Sequence, residues 1–293
     1  MQVLILGGSG LIGSAITAAL AAAGHRAVGL ARSEAAAARI RACGGIPVAG
    51  DVTRPESWLP HLDEADVIIQ ASADFAADPA AAEEALIATL LAKRAALGSR
   101  RVIYTGGCWL YPERTRPALS ERDAFDPLPA FAYMVRNRER LLASGLDTVT
   151  VHPGIVWRED RGFPVDHVQS ILGGETITVV GSLSTRWPLV HADDLAQLYR
   201  LALEKAAGGT DYLVVTDPGL TVDAIIRHAE TVAQSRAAIA ITPVIEAVAR
   251  DGDWIAGQAR SQKVITSKAR DELGWQPRIP FPVIPPARGV ADY

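Results

Sequence analysis

The sequence predicts an α/β fold, a doubly wound and mostly parallel sheet with a smaller, discontinuous C-terminal lobe, and three observations carry that prediction. Short apolar runs alternate with helical runs from residue 1 to about 155, the order that builds a parallel sheet covered on both faces. The first run, Val3 to Leu6, is continuously apolar, as a strand buried on both sides must be. Directly after it, Gly7-Gly-Ser-Gly-Leu-Ile-Gly13 forms a turn that opens an apolar helix.

That turn suits a dinucleotide pyrophosphate. Gly7, Gly10 and Gly13 lack side chains where a phosphate backbone must come close, Ser9, Leu11 and Ile12 complete the loop, and the helix end points N–H groups at the anion. The helix itself follows from a stripe of Leu11, Ile12, Ala15, Ile16, Ala19, Leu20 and Ala23, stopped by Gly24-His25. A second strand is expected over Ala27 to Leu30 and a helix over 34–42. Its strand end reads Ala31-Arg32-Ser33 with no carboxylate, which favours the 2′-phosphate of NADP over the bare ribose of NAD, with NAD still possible. Arg32 could instead be a solvated charge at a helix start, with Glu34 as its partner.

A third strand, Ile46 to Ala49, leads into Asp51 and Val52. The Asp51 carboxylate suits the adenine amine and Val52 the ring, although Asp51 could equally cap the next helix. The fourth strand, Val67 to Ala71, continues into Ser72 and Ala73, small residues that line the path to a nicotinamide. From Asp78-Pro79 to Leu97 an Ala-rich run reads as an ordered helix, with Leu86, Leu90, Leu91 and Leu97 inward and Glu83, Glu84, Lys93 and Arg94 on its outer face. Val102 to Thr105, a helix over about 130–143 and Thr148 to His152 complete the alternation.

Beyond Trp157 the alternation breaks. Arg158 to Gly174 reads as an insertion crossing to a second layer, while Thr178 to Val180, a helix from Ala192 to Leu203 and Tyr212 to Val215 read as late parts of the sheet domain. Thr221 to Gln234 and 240–285 then form the smaller lobe, with Pro277 to Pro286 extended. The expected division is 1–156 with 177–216 for the sheet domain and 157–176 with 217–293 for the lobe.

Composition narrows the function classes. With 49% hydrophobic and 21% charged residues and a net charge of −4 spread without basic blocks, the chain points to a soluble, cytoplasmic protein with a small-molecule substrate, and neither a nucleic-acid nor a membrane partner is expected. Its two cysteines, Cys43 and Cys108, lack metal-ligand spacing and read as free thiols, and no metal site is expected.

Together, Gly7 to Gly13, Arg101-Val-Ile-Tyr-Thr-Gly-Gly107, His152-Pro-Gly-Ile-Val156, Trp187-Pro-Leu-Val-His-Ala-Asp-Asp-Leu-Ala196 and Ser267-Lys-Ala-Arg-Asp-Glu-Leu-Gly-Trp-Gln-Pro277 resemble the extended and atypical short-chain dehydrogenase/reductase superfamily, in its NAD-dependent epimerase/dehydratase branch. The resemblance implies a Rossmann-type domain, a nicotinamide site walled by Pro153 and Ile155, and a possible homodimer through helices 79–97 and 130–143. It also implies a Tyr followed four residues later by Lys, and a Ser or Thr after the fifth strand. Here the chain departs from the pattern. Tyr133-Met-Val-Arg-Asn137 keeps the Tyr but offers Asn for Lys, and an ungapped match puts Phe131 and Val135 there instead. The Ser/Thr position falls on Gly107, with Thr105 the nearest hydroxyl. Tyr133 and Thr105 are the catalytic candidates; Arg136, Tyr111, His152, Arg186 and His191 are further polar ones, with His191 and Asp193-Asp194 suited to capping the helix from Ala192. The expected function is an NADP-dependent oxidoreductase for a small carbonyl or alcohol; a non-catalytic NADP(H)-binding sensor and a nucleotide-sugar epimerase or dehydratase are the alternatives.

Overall fold

Residue alternation along the first strand sets the layering of the molecule. In the computed structural model, which describes residues 1–73 and 78–282, β1 (Gln2–Leu6) turns Val3 and Ile5 toward one helical layer and Leu4 and Leu6 toward the other. Each of these side chains is essentially fully buried, worth about 1.5–3 kcal/mol apiece. The chain continues through α1 (Leu11–Ala22), β2 (Arg26–Ala31), α2 (Glu34–Ala42), β3 (Ile46–Ala49), α3 (Leu59–Asp63) and β4 (Val67–Gln70). After the undescribed stretch come α4 (Pro79–Ala92), α5 (Arg94–Leu97) and β5 (Arg101–Thr105). The helix expected over 79–97 is thus two pieces, meeting at Lys93.

Next follow β6 (Arg114–Leu119), α6 (Ala132–Ala143), β7 (Asp147–Pro153), β8 (Ile155–Trp157), α7 (Phe163–Leu172), β9 (Thr176–Val180), β10 (Arg186–His191), α8 (Ala192–Lys205) and β11 (Thr210–Val214). The described chain closes with β12 (Asp217–Thr221), α9 (Val222–Ala233), β13 (Ala238–Thr242), α10 (Val244–Asp251), β14 (Gln262–Val264) and α11 (Ser267–Leu273).

Seven strands form one parallel sheet in the order β11-β7-β5-β4-β1-β2-β3. Helices α1 and α8 pack together on one face through Ile16, Leu20, Leu195 and Leu198, and α4 and α6 cover the other through Leu86, Ile87, Leu90 and Leu141. The strand order reverses between β1 and β4, so a crevice opens over the carboxyl ends of those two strands.

The second layer departs from the sequence expectations. Thr178 to Val180 does not join the main sheet: β9 pairs with β13 across some sixty residues, from Thr176 with Ala238 to Val180 with Thr242. β10 belongs to a three-stranded sheet with β8 and β12, and β6 reaches forward from the first half to pair with β14. Strands β9 and β10 therefore lie outside the seven-stranded sheet, whereas α11 packs back on α8 and β11. The insertion expected over 158–174 contains α7, whose Ile171 enters the lobe core.

Residues 277–282 carry neither helix nor strand; the rest of the Pro277 to Pro286 segment lies outside the described residues. Backbone N–H groups of Arg278 and Ile279 bind Asp194, and that of Phe281 binds Asp217, which ties the C-terminal run to both layers. His191 caps α8 by accepting the Asp193 N–H at 3.2 Å. Cys43 and Cys108 are free thiols, and burial pushes Cys108 up to about 12.

Candidate active site

The crevice is built at the glycine turn. Gly7 follows β1 with φ +97°, a conformation L side chains rarely adopt, and a Cβ there would sit 2.6 Å from the Ala71 carbonyl oxygen and 2.7 Å from Ser72 Cα. A Cβ on Gly13 would run into the Gly7 backbone, 2.7 Å from its carbonyl carbon. The two glycines thus bring the first turn of α1 against the ends of β1 and β4. No side chain caps α1 at Gly10, while Ser9, Gly10, Leu11 and Ile12 keep partial or full exposure, so the helix end faces the crevice. This cradle fits a pyrophosphate.

The neighbouring candidates gather around it. Ser33 caps α2 by accepting the Ala36 N–H at 3.2 Å, and exposed Arg32 precedes it. Glu34 pairs with Arg41 at 2.6 Å. Asp51 accepts from both the N–H and the hydroxyl of Thr53, at 3.0 and 2.8 Å, closing a turn rather than capping a helix. Burial works against its charge, but those hydrogen bonds and the cations of Arg32 and Arg54 hold the carboxyl below its ordinary value. Arg32 and Asp51 therefore flank the same space. Pro153 and Ile155 are buried at the end of β7 and the start of β8, around Gly154, where a Cβ would meet the Pro188 carbonyl oxygen at 2.6 Å.

A small cavity joins this region to α6. It is lined by Val52, Ser72, Ala73, Pro79, Ala82, Glu83, Leu86 and Tyr133. Of the two helix registers, the structure places Tyr133 at the cavity, whereas Phe131 packs on Trp109 with ring centroids 5.7 Å apart. Asn137, four residues after Tyr133, is fully buried and donates to Glu83 at 3.0 Å.

Glu83 corrects the sequence expectation. Far from the outer face, it is 8% exposed and accepts from Tyr104 Oη, Asn137 Nδ2 and, at 3.3 Å, Gln70 Nε2. Burial pushes its carboxyl up, those hydrogen bonds pull against it, and it rests above its ordinary value. A signal was present: Glu83 stands three, four and seven residues before Leu86, Ile87 and Leu90, on the buried stripe of α4.

Thr105 has buried partners of its own. Its hydroxyl bonds the Gln70 carbonyl at 2.5 Å and Tyr199 Oη at 2.6 Å, both buried, and so is committed to the strand end and α8. An added Cβ at Gly107 meets nothing within 4 Å.

Of the remaining polar candidates, His152, Arg186 and Arg136 have hydrogen-bond or ion-pair partners, whereas the buried Tyr111 hydroxyl has none among the described residues. His152 is fully buried and bonds Asp211 at 3.3 Å; burial depresses its ring, with Asp211 opposing and Arg138 adding. Arg138 forks onto the same Asp211 carboxylate. Burial and nearby carboxylates push the buried Tyr111 phenol well up. Arg186 donates to the Gly219 carbonyl at 3.1 Å, and Arg136 pairs with Glu84 at 2.8 Å on the surface.

With this geometry in view, the sequence model of the NAD dependent epimerase/dehydratase family matches residues 3–215. The uncharacterized Saccharomyces cerevisiae protein YLL056C is 29% identical over 289 residues, 95% of each chain. Photosystem II assembly factor Ycf39 of Synechocystis is 37% identical over 78 residues, 27% of this chain and 24% of its own. Among solved structures, Thermus thermophilus UDP-glucose 4-epimerase in complex with NAD superposes with a TM-score of 0.81 at 19% identity, covering 96% of this chain and 95% of that one. The dTDP-glucose 4,6-dehydratase DesIV of Streptomyces venezuelae with NAD bound gives 0.81 at 19% identity over 96% and 93%. At such identities the likeness is one of fold. No helix among the described residues is long and apolar enough to cross a membrane.

Proposed function

The chain belongs to the NAD dependent epimerase/dehydratase family, and on that footing we propose that it is an NADP(H)-dependent oxidoreductase acting on a small carbonyl or alcohol. The observation that carries the reading is the glycine cradle: two positions, Gly7 and Gly13, where any Cβ would strike backbone, hold an uncapped helix end at the sheet's switch point. Gly7 to Gly13 would hold the pyrophosphate, Asp51 and Val52 the adenine, and Ser72, Ala73, Pro153 and Ile155 would border the nicotinamide side. The preference for NADP rests on Arg32 and Ser33 standing where a carboxylate would read the bare ribose. A reduced nicotinamide, when bound, supplies hydride. Tyr133 then gives a proton to the substrate oxygen.

The nucleotide sugars carried by some fold neighbours suit this chain less well. Arg158 and Arg161 both pair with Asp160, and Arg260 donates to the carbonyls of Trp109, Tyr111 and Asp126, so these cations of the second layer are engaged internally. The committed hydroxyl of Thr105 and the Asn at position 137 favour a second reading, a non-catalytic NADP(H)-binding sensor. A homodimer would form through the outer faces of α4 and α6.

The test follows loss of reduced-nicotinamide absorbance with NADPH and a panel of aldehydes and ketones. Turnover that falls at least about 100-fold in Tyr133→Phe supports the oxidoreductase. Tight coenzyme binding with no turnover across the panel selects the sensor.

A further inference from the structure

Among the described residues, Tyr133 shares its cavity with a carboxylate and not with a cation. Glu83 is fixed there by three donors, one from each neighbouring element: Tyr104 on β5, Asn137 on α6 and Gln70 on β4. Asn137 and Gln70 present N–H groups, and the Tyr104 hydroxyl lies closer to Glu83 than to its other acceptor, the Met134 carbonyl at 3.3 Å. A carboxylate, which only accepts, satisfies all three. We propose that Glu83 is a positioning residue that keeps Tyr133 an un-ionised phenol, so that the site is poised to give a proton to a substrate oxygen and works as a reductase.

The charges around Tyr133 agree in sign. Glu83 shares the cavity from α4, the carboxylate of Asp78 acts on it from the cap of that helix, and no cation among the described residues lines the cavity to offset them. Arg136, on the same helix as Tyr133, is exposed and paired with Glu84. Burial first, then Glu83 and Asp78, raise the phenol above its ordinary value. A lysine at position 137 would act in the opposite sense.

The inference rests on the reading that Tyr133 faces a bound nicotinamide. In the reductive step the carbonyl carbon accepts the hydride that a reduced nicotinamide supplies, and the C=O π pair moves to oxygen. That oxygen takes the Tyr133 phenol proton, and the phenolate left behind recovers a proton from water. The reverse reaction must begin from the phenolate, which is scarce near neutral pH, so its rate should climb about tenfold per pH unit across that range.

The experiment is a pH titration of the full chain labelled with ring-13C tyrosine, followed by NMR, with Tyr133→Phe identifying the resonance. The expected midpoint lies above the ordinary phenol value of about 10 and falls by about one pH unit in Glu83→Gln. Asn137→Lys, which sets an ammonium against the Glu83 carboxylate, should also lower it and serves if Glu83→Gln does not fold. A wild-type midpoint at or below about 10, or a midpoint unmoved in a folded variant, overturns the proposal. Because the titration uses no coenzyme, its failure is distinct from a failure of coenzyme binding, which calorimetry reads.

Discussion

Replacing Gly13 by Ala is a substitution whose sign the structure reverses. In an ordinary helix interior, Gly→Ala stabilises by about 0.5–1 kcal/mol through backbone entropy and helix propensity. At Gly13 the new methyl would lie 2.7 Å from the Gly7 carbonyl carbon and 2.9 Å from Gly8 Cα, both backbone atoms that no rotamer change can move aside. Overpacking of this kind costs typically 1–3 kcal/mol, and a backbone clash belongs at the upper end, giving a net loss of about 2 kcal/mol. Relief by displacing the turn would pull Gly7 away from Ala71 and Ser72 and spoil the cradle, so coenzyme affinity should fall at least about tenfold, equivalent to roughly 1.4 kcal/mol. Gly10→Ala is the control for the stability effect alone: its added Cβ approaches nothing closer than the Gly7 oxygen at 3.4 Å, and its φ of −73° suits any residue. Urea denaturation and calorimetric titration with NADPH measure the two effects. A Gly13→Ala protein with unchanged midpoint and unchanged affinity would refute the packing argument.

Arg32→Asp should weaken NADPH binding at least about tenfold while leaving NADH within a few-fold, since it removes a charged partner of the 2′-phosphate; equal losses for both coenzymes would remove Arg32 from that role. Asp211→Asn takes away the carboxylate shared by Arg138 and His152 and should cost about 3 kcal/mol in denaturant unfolding. A loss under about 0.5 kcal/mol, the level of an ordinary surface change, would show that the cluster contributes little. His167 gives a pH dependence: burial depresses its ring from 6.5 to about 4, so the unfolded chain takes up the proton first. The stabilising effect of its neutral form is complete above about pH 6.5 and is lost as pH falls through about 4, at most about 3 kcal/mol. His167→Phe, which preserves the ring against Trp187, should flatten thermal stability in that window; an unchanged slope would contradict the assignment.

The sheet was legible because its signals are local. Val3 to Leu6 is apolar without interruption and Gly7 to Gly13 specifies a turn at fixed spacing, so the strands from β1 to β5 fall within a residue or so of their expected places. The second layer was not, because its pairings are long-range: nothing in Thr176–Val180 names Ala238–Thr242 as its partner, nor in Arg114–Leu119 the strand Gln262–Val264. In the site, alanines on every side of α4 hid which face is buried, and Glu83 was read outward although its spacing to Leu86 and Leu90 pointed inward. The surroundings of Thr105 were hidden for a different reason. Its direction depends on Tyr199, ninety-four residues away, whose hydroxyl meets it under α8.

Isothermal titration of the purified, folded chain with NADPH and with NADH tests the central claim most directly. The account predicts saturable binding of one coenzyme per chain, tighter for NADPH, through the turn from Gly7 to Gly13. Heat changes no larger than dilution for both coenzymes would contradict it.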